Sequence, residues 1–144
     1  MGKMGSDNLD STVAVARALG HPARLRAIAM LRSGELCVCQ VTAVLGLAPS
    51  TVSLHLRELK RCGLVTERKE SRWVFVTVAD EPAARNWIDT ALADATGDPQ
   101  LESDARLVEE LRRVPVEELC RLGLEGAREK ACGGTAATRR RELG

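Results

Sequence analysis

Between Val38 and Val78 the apolar pattern changes period once, at Gly63, and that change limits what the chain can fold into more than any other feature. Before it, Val41, Val44 and Leu45 mark one side of a short helix over about 38–45, and Gly46 is placed to end that helix in a left-handed turn. Pro49 suits the first turn of a second helix, because its missing N–H would have no intrahelical partner there. Val52, Leu56 and Leu59 then recur at steps of four and three, a buried stripe that ends before Gly63. After Gly63, Leu64-Val65-Thr66 and the run Arg72-Trp73-Val74-Phe75-Val76-Thr77-Val78 are strand-like, on either side of the charged turn Arg68-Lys69-Glu70-Ser71. Two helices joined by a short Gly-containing turn make a helix-turn-helix, and a hairpin directly behind makes a wing. The pattern therefore predicts a mostly α fold with a two-stranded β wing, a winged helix-turn-helix.

The flanks supply helices around this unit. Leu9, Val13, Ala16 and Leu19 predict a helix closed by Gly20, and His21-Pro22 restarts the chain into a second helix that runs to Ser33-Gly34. Glu81-Pro82 opens another, with Trp87, Ile88, Ala91, Leu92 and Ala95 forming a broad apolar face. Gly97-Asp98-Pro99 is a turn in which Asp98 can cap a further helix, striped by Leu101, Ala105, Val108 and Leu111 and interrupted at Val114-Pro115. This organises the chain as a flexible lead over 1–7, a DNA-binding and dimerisation domain over 8–97, and a helical extension with a mobile tail over 98–144. The apolar faces of 9–19 and 87–95 exceed what a small core can cover, so a homodimer through these helices is expected. Twofold symmetry would then set two reading helices about one DNA turn apart.

The second helix of the pair carries Ser50, Thr51, Ser53, His55 and Arg57 on its outward side. A helix that reads base edges in a major groove needs such donors and acceptors. Between Ser50 and Arg72 six basic residues face three acidic ones, a local excess of +3 although the whole chain carries only +1. Lys69 and Arg72 at the wing suit phosphate contacts. Double-stranded operator DNA is the partner this pattern implies.

Composition excludes several other classes. Phe75, Trp73 and Trp87 are the only aromatic residues, too few for a single-strand stacking platform. No apolar run reaches the roughly 18–20 residues that cross a bilayer, and the polar start lacks a signal-peptide core, so a cytoplasmic protein with no membrane partner is expected. Five cysteines in such a chain read as thiols for metal or redox work rather than as a disulfide framework. Neither C-x-x-C nor a βαβ pattern is present, which argues against a thiol enzyme.

The string Glu35-Leu36-Cys37-Val38-Cys39-Gln40 joins a thiol pair to the DNA-reading unit. Two residues apart, the thiols stand together on an extended segment but point about 200° apart on a regular helix. They can share an ion only at the non-helical entry to the first helix of the pair. A helix N-terminus also favours the thiolate that binds soft ions. Further sulfur could come from Cys120 or Cys132 on the extension, whereas Cys62 reads as helix-end packing. His21, before a proline at a helix start, reads as structural.

From Leu19 to Val78 the chain resembles the ArsR/SmtB family of bacterial metal-responsive winged-helix repressors. The resemblance rests on Leu19-Gly20-His21-Pro22-Ala23-Arg24-Leu25, Glu35-Leu36-Cys37-Val38-Cys39, Ser50-Thr51-Val52-Ser53-Leu54-His55-Leu56 and Arg72-Trp73-Val74-Phe75. It implies a homodimer that holds an operator with no added cofactor until an ion binds and releases it. The C-V-C string resembles the arsenic-sensing branch, which implies As(III) or Sb(III) as inducer. A Cd²⁺/Pb²⁺-responsive or thiol-redox-responsive repressor of the same fold is the alternative. Thr42 stands where that branch often has a third thiol, so the third sulfur is expected from Cys120 or Cys132, or else from solvent or an added thiol. The stretch from Asp80 to Ala95 has no histidine, so the family's interface zinc site is not expected.

Overall fold

Capping side chains set where the first two helices begin. The Asn8 side chain accepts from the Asp10 N–H at 2.8 Å and opens α1 (Leu9–Leu19). His21 Nδ1 accepts from the Ala23 N–H at 3.1 Å and opens α2 (Pro22–Leu31), which gives this histidine its structural role. The computed structural model describes residues 8–121. After α2 come β1 (Leu36–Cys37), α3 (Val38–Leu45), α4 (Pro49–Arg61), β2 (Val65–Glu70), β3 (Trp73–Val78), α5 (Pro82–Ala93) and α6 (Pro99–Arg112), followed by a helical segment over 116–121. Gly46 ends α3 at φ 69°, the left-handed turn its position predicts.

The sheet carries one strand more than the apolar pattern predicts. Its order is β1-β3-β2, antiparallel throughout, with Leu36 opposite Val76 and Cys37 opposite Phe75. A two-residue strand has no periodicity to read, so only its pairing with β3 reveals it. In the wing itself Glu70 pairs with Trp73, leaving Ser71 and Arg72 as a tight turn, with Ser71 at φ 56°.

The core is aliphatic. Ile28, Leu31, Leu36, Val41, Val44, Val52, Leu59, Leu64 and Val76 are all but inaccessible. Val108 and Leu111 of α6 and Leu119 beyond it join the same cluster, so α6 folds back onto α2 and α3. A buried ion pair fastens that return. Arg26 Nε and Nη2 donate to Asp104 Oδ2 and Oδ1 at 2.8 and 2.9 Å, and Gln100 Nε2 donates to Oδ1 at 2.9 Å. Asp104 is 5% exposed and Arg26 23%. The carboxylate holds the Arg26 guanidinium above its ordinary pKa. Among the described residues no single helix is long and apolar enough to cross a membrane.

Candidate thiol site and nucleic-acid interface

Cys37 ends β1 in extended geometry (φ −71°, ψ 147°) and is at the same time the N-cap of α3. Gln40 Oε1 accepts from its N–H at 2.7 Å, which pins the junction. Cys39 lies in the first helical turn. The change from strand to helix between them turns both sulfurs to one side. Cys120 arrives on the segment beyond α6, and the Sγ atoms of Cys37, Cys39 and Cys120 all lie within 4.8 Å of one another. All three come from one chain. Cys39 and Cys120 are joined as a disulfide with Cα atoms 5.9 Å apart, while Cys37 is a free, fully buried thiol. Cys132 lies outside the described residues.

The ionisation of Cys37 departs from what a helix N-terminus alone implies. Burial pushes its pKa up, and the N–H groups of Cys39 and Val38 offset this only in part. The thiol is therefore the resting form at neutral pH, and desolvation outweighs the helix end. Cys62 is also buried and shifted upward by burial, and its Sγ donates to the Leu59 carbonyl at 3.4 Å, consistent with helix-end packing.

In its reduced form the trio offers three soft donors with no imidazole or carboxylate among them. That suits a thiophilic trivalent ion and falls one donor short of tetrahedral zinc.

The outward side of α4 is polar and open. Ser50, Ser53 and Arg57 are exposed and Thr51 is half-buried. Ala48 precedes α4 without a side-chain cap, so no N-cap side chain satisfies the first-turn N–H groups of the helix. His55 is expected on the groove side, yet its ring is half-buried. Its centroid lies 4.5 Å from that of His21, and Arg24 Nη1 sits 3.2 Å from its Nδ1. Burial first, then the charges of His21 and Arg24, hold its pKa below the usual histidine range. Leu54 takes the outward position instead, at 55% exposure. No polar signal singled it out; its place off the Val52–Leu56–Leu59 stripe could have done so. Lys69 and Arg72 are exposed on the wing, with the Arg72 guanidinium 5.0 Å from the Trp73 ring centroid. Arg68 is tied to Glu35 at 2.7 Å and Glu70 at 3.1 Å, and it lies 4.5 Å over Phe75.

Thiols and reading face meet in one cleft of about 1240 Å³. Its lining includes Cys37 and Cys39, Ser53, Arg57 and Lys60 of α4, Arg72 and Trp73 of the wing, and Glu117, Glu118, Cys120 and Arg121 beyond α6.

Comparisons with known proteins agree with this architecture. The family model for bacterial regulatory proteins of the arsR family matches residues 21–67. Over 104 residues the chain is 31% identical to the arsenic resistance transcriptional regulator ArsR1 of Pseudomonas putida, covering 70% of this chain and 80% of that protein. Among solved structures it is similar to HlyU from Vibrio cholerae, with a TM-score of 0.55 and 32% identity over 61% of this chain and 95% of that one. It is also similar to a homodimeric winged helix-turn-helix DNA-binding domain from Mycobacterium bovis, with a TM-score of 0.54 and 30% identity over 70% of this chain and 95% of that one.

Proposed function

The chain belongs to the arsR family of bacterial regulatory proteins, DNA-binding transcriptional regulators rather than enzymes, and from that premise we propose that it is a homodimeric repressor released from its operator by arsenite or antimonite. Cys37, Cys39 and Cys120 supply the three sulfurs. Ser50, Thr51, Ser53, Leu54 and Arg57 face the groove, and Lys69 and Arg72 reach the DNA backbone. The observation that carries the inducer reading is the convergence of three sulfurs within 4.8 Å at the foot of α3.

Arsenous acid gives up its three hydroxyls as three As–S bonds form, each thiol proton leaving with a hydroxyl as water, so capture exchanges three buried or half-buried S–H groups for one neutral cluster. To move the DNA-bound population from 99:1 to 1:99, the ion must favour the released state by about 5.5 kcal/mol. Three bonds made fully in only one state supply that preference. The dimer reading draws on Leu9 at 76% and Val13 at 40% exposure on α1, an uncovered apolar stripe at helical spacing. The similar M. bovis domain is homodimeric.

The test is titration of a reduced protein–operator complex with arsenite, followed by fluorescence anisotropy. Release is expected for the native chain and its loss in each of Cys37→Ser, Cys39→Ser and Cys120→Ser. Undiminished release from Cys37→Ser/Cys39→Ser overturns the reading. The Cys39–Cys120 disulfide favours a second reading, a thiol-redox-responsive repressor. Release by peroxide with no response to arsenite would select it. A cadmium resistance regulatory protein homologue of Staphylococcus aureus, 38% identical over 68 residues, makes Cd²⁺ a third arm of the same titration.

A further inference from the structure

Three large apolar side chains stand exposed among the described residues, and two of them, Leu9 and Val13, share the α1 stripe. The third is Leu54, on the outward side of α4 at 55% exposure. At about 100° per residue it stands about 140–160° around the helix from Val52, Leu56 and Leu59, on the far side from the core. Ser50 and Arg57, both exposed, lie within about 60° of it on the same face. Leu54 is the sixth of the thirteen residues of α4, in the N-terminal half from which a reading helix contacts base edges.

The C5-methyl of thymine is the apolar group that base pairs present in the major groove; the other groups there donate or accept hydrogen bonds. A leucine side chain can do neither. Pressed against the amino group of cytosine or adenine, or the carbonyl of guanine, it would strip water from a polar group and return no hydrogen bond. Against a thymine methyl, both partners leave water without that penalty. We propose that Leu54 is a specificity-determining residue that packs on the C5-methyl of one thymine in each operator half-site. Ser50, Ser53 and Arg57 read hydrogen-bonding groups beside it. The idea rests on the reading above that α4 of a homodimeric repressor enters the major groove, and it names a chemical feature of the DNA that this chain selects.

The experiment uses the reduced full chain. Selection from a pool of random duplexes supplies the probe. In the selected duplex each thymine is then replaced by uracil, one symmetric pair of positions at a time. Uracil keeps the O4 acceptor and the pairing with adenine and lacks only the methyl. Affinities are measured by fluorescence anisotropy for the native chain, Leu54→Ala and Arg57→Ala. At one pair of positions uracil should weaken the native chain about fifteenfold, about fourfold for each methyl that loses its cover. Leu54→Ala should bind the selected duplex more weakly, and uracil at that pair should make no further difference to it. The uracil scan on native protein does not depend on how any variant folds. A native chain indifferent to every uracil overturns the proposal. So does a Leu54→Ala variant that keeps the full uracil penalty, because another group, such as the Thr51 methyl, then covers the thymine. In either case weaker binding by Arg57→Ala leaves the groove-reading face standing. If Arg57→Ala and Leu54→Ala both bind the selected duplex as the native chain does, α4 is not in the groove and the proposal falls with that reading.

Discussion

Cys37 and Cys39 are two residues apart and chemically unlike. Cys37 is fully buried and held as a thiol by desolvation, while Cys39 and Cys120 are partly open to solvent. In reduced protein at pH 7, iodoacetamide should therefore modify Cys39 and Cys120 well before Cys37, as read by peptide mass mapping. Equal rates would show that Cys37 is not shielded. The same burial makes stability pH-dependent. A thiol whose pKa is raised on folding keeps its proton where the unfolded chain has already lost it, so its contribution is intact below the unfolded value and is lost as pH climbs through the folded one. With both Cys37 and Cys62 raised, the urea midpoint of reduced protein should fall from about pH 8.5 upward, and fall less in Cys62→Ala. His55 works in the other direction. Its pKa is lowered on folding, so its contribution is present above about pH 6.5 and lost as pH drops further. Its type and its place on the reading helix suggested a groove contact. What turned it inward is His21 and Arg24, 34 and 31 positions away in sequence, which no helical period can show.

The element that decides whether the thiol site closes is α6. Its return onto α2 and α3 carries Cys120 to the foot of α3, and the Arg26–Asp104 pair fastens it. Removing one partner of a buried pair typically costs about 3–5 kcal/mol because the other charge is stranded. Asp104→Ala should lie near the lower end, since Arg26 at 23% exposure can still reach water. A urea titration measures that loss, and the Cys39–Cys120 disulfide should form more slowly in the variant under the same peroxide. Unchanged stability and cross-linking would mean that α6 docks through Val108 and Leu111 alone. The helices and the wing were legible in the chain because each has its own period and its own stop, such as Gly46 after α3. The closing of the thiol site was legible only as a choice of sulfurs, Cys120 or Cys132 on the extension. It depends on a contact between positions 26 and 104, and nothing local to Cys120 announces where the segment that bears it will land. The strand β1 escaped for the opposite reason, being too short to show any alternation.

For the molecule as a whole, the uncovered stripe of α1 calls for a partner. Leu9 and Val13 lie four residues apart, with Ala16 exposed one turn further on. Leu9→Glu/Val13→Glu should yield a folded monomer by analytical ultracentrifugation, with unchanged far-ultraviolet circular dichroism and sharply weakened operator binding. A variant that stays dimeric would move the interface elsewhere. Because all three sulfurs belong to a single polypeptide, loading needs no neighbour. The equivalence point of an arsenite titration should be one atom per chain and should not drift on dilution, even where the assembly comes apart, so the cell could saturate this receptor at copy numbers too low to keep it paired.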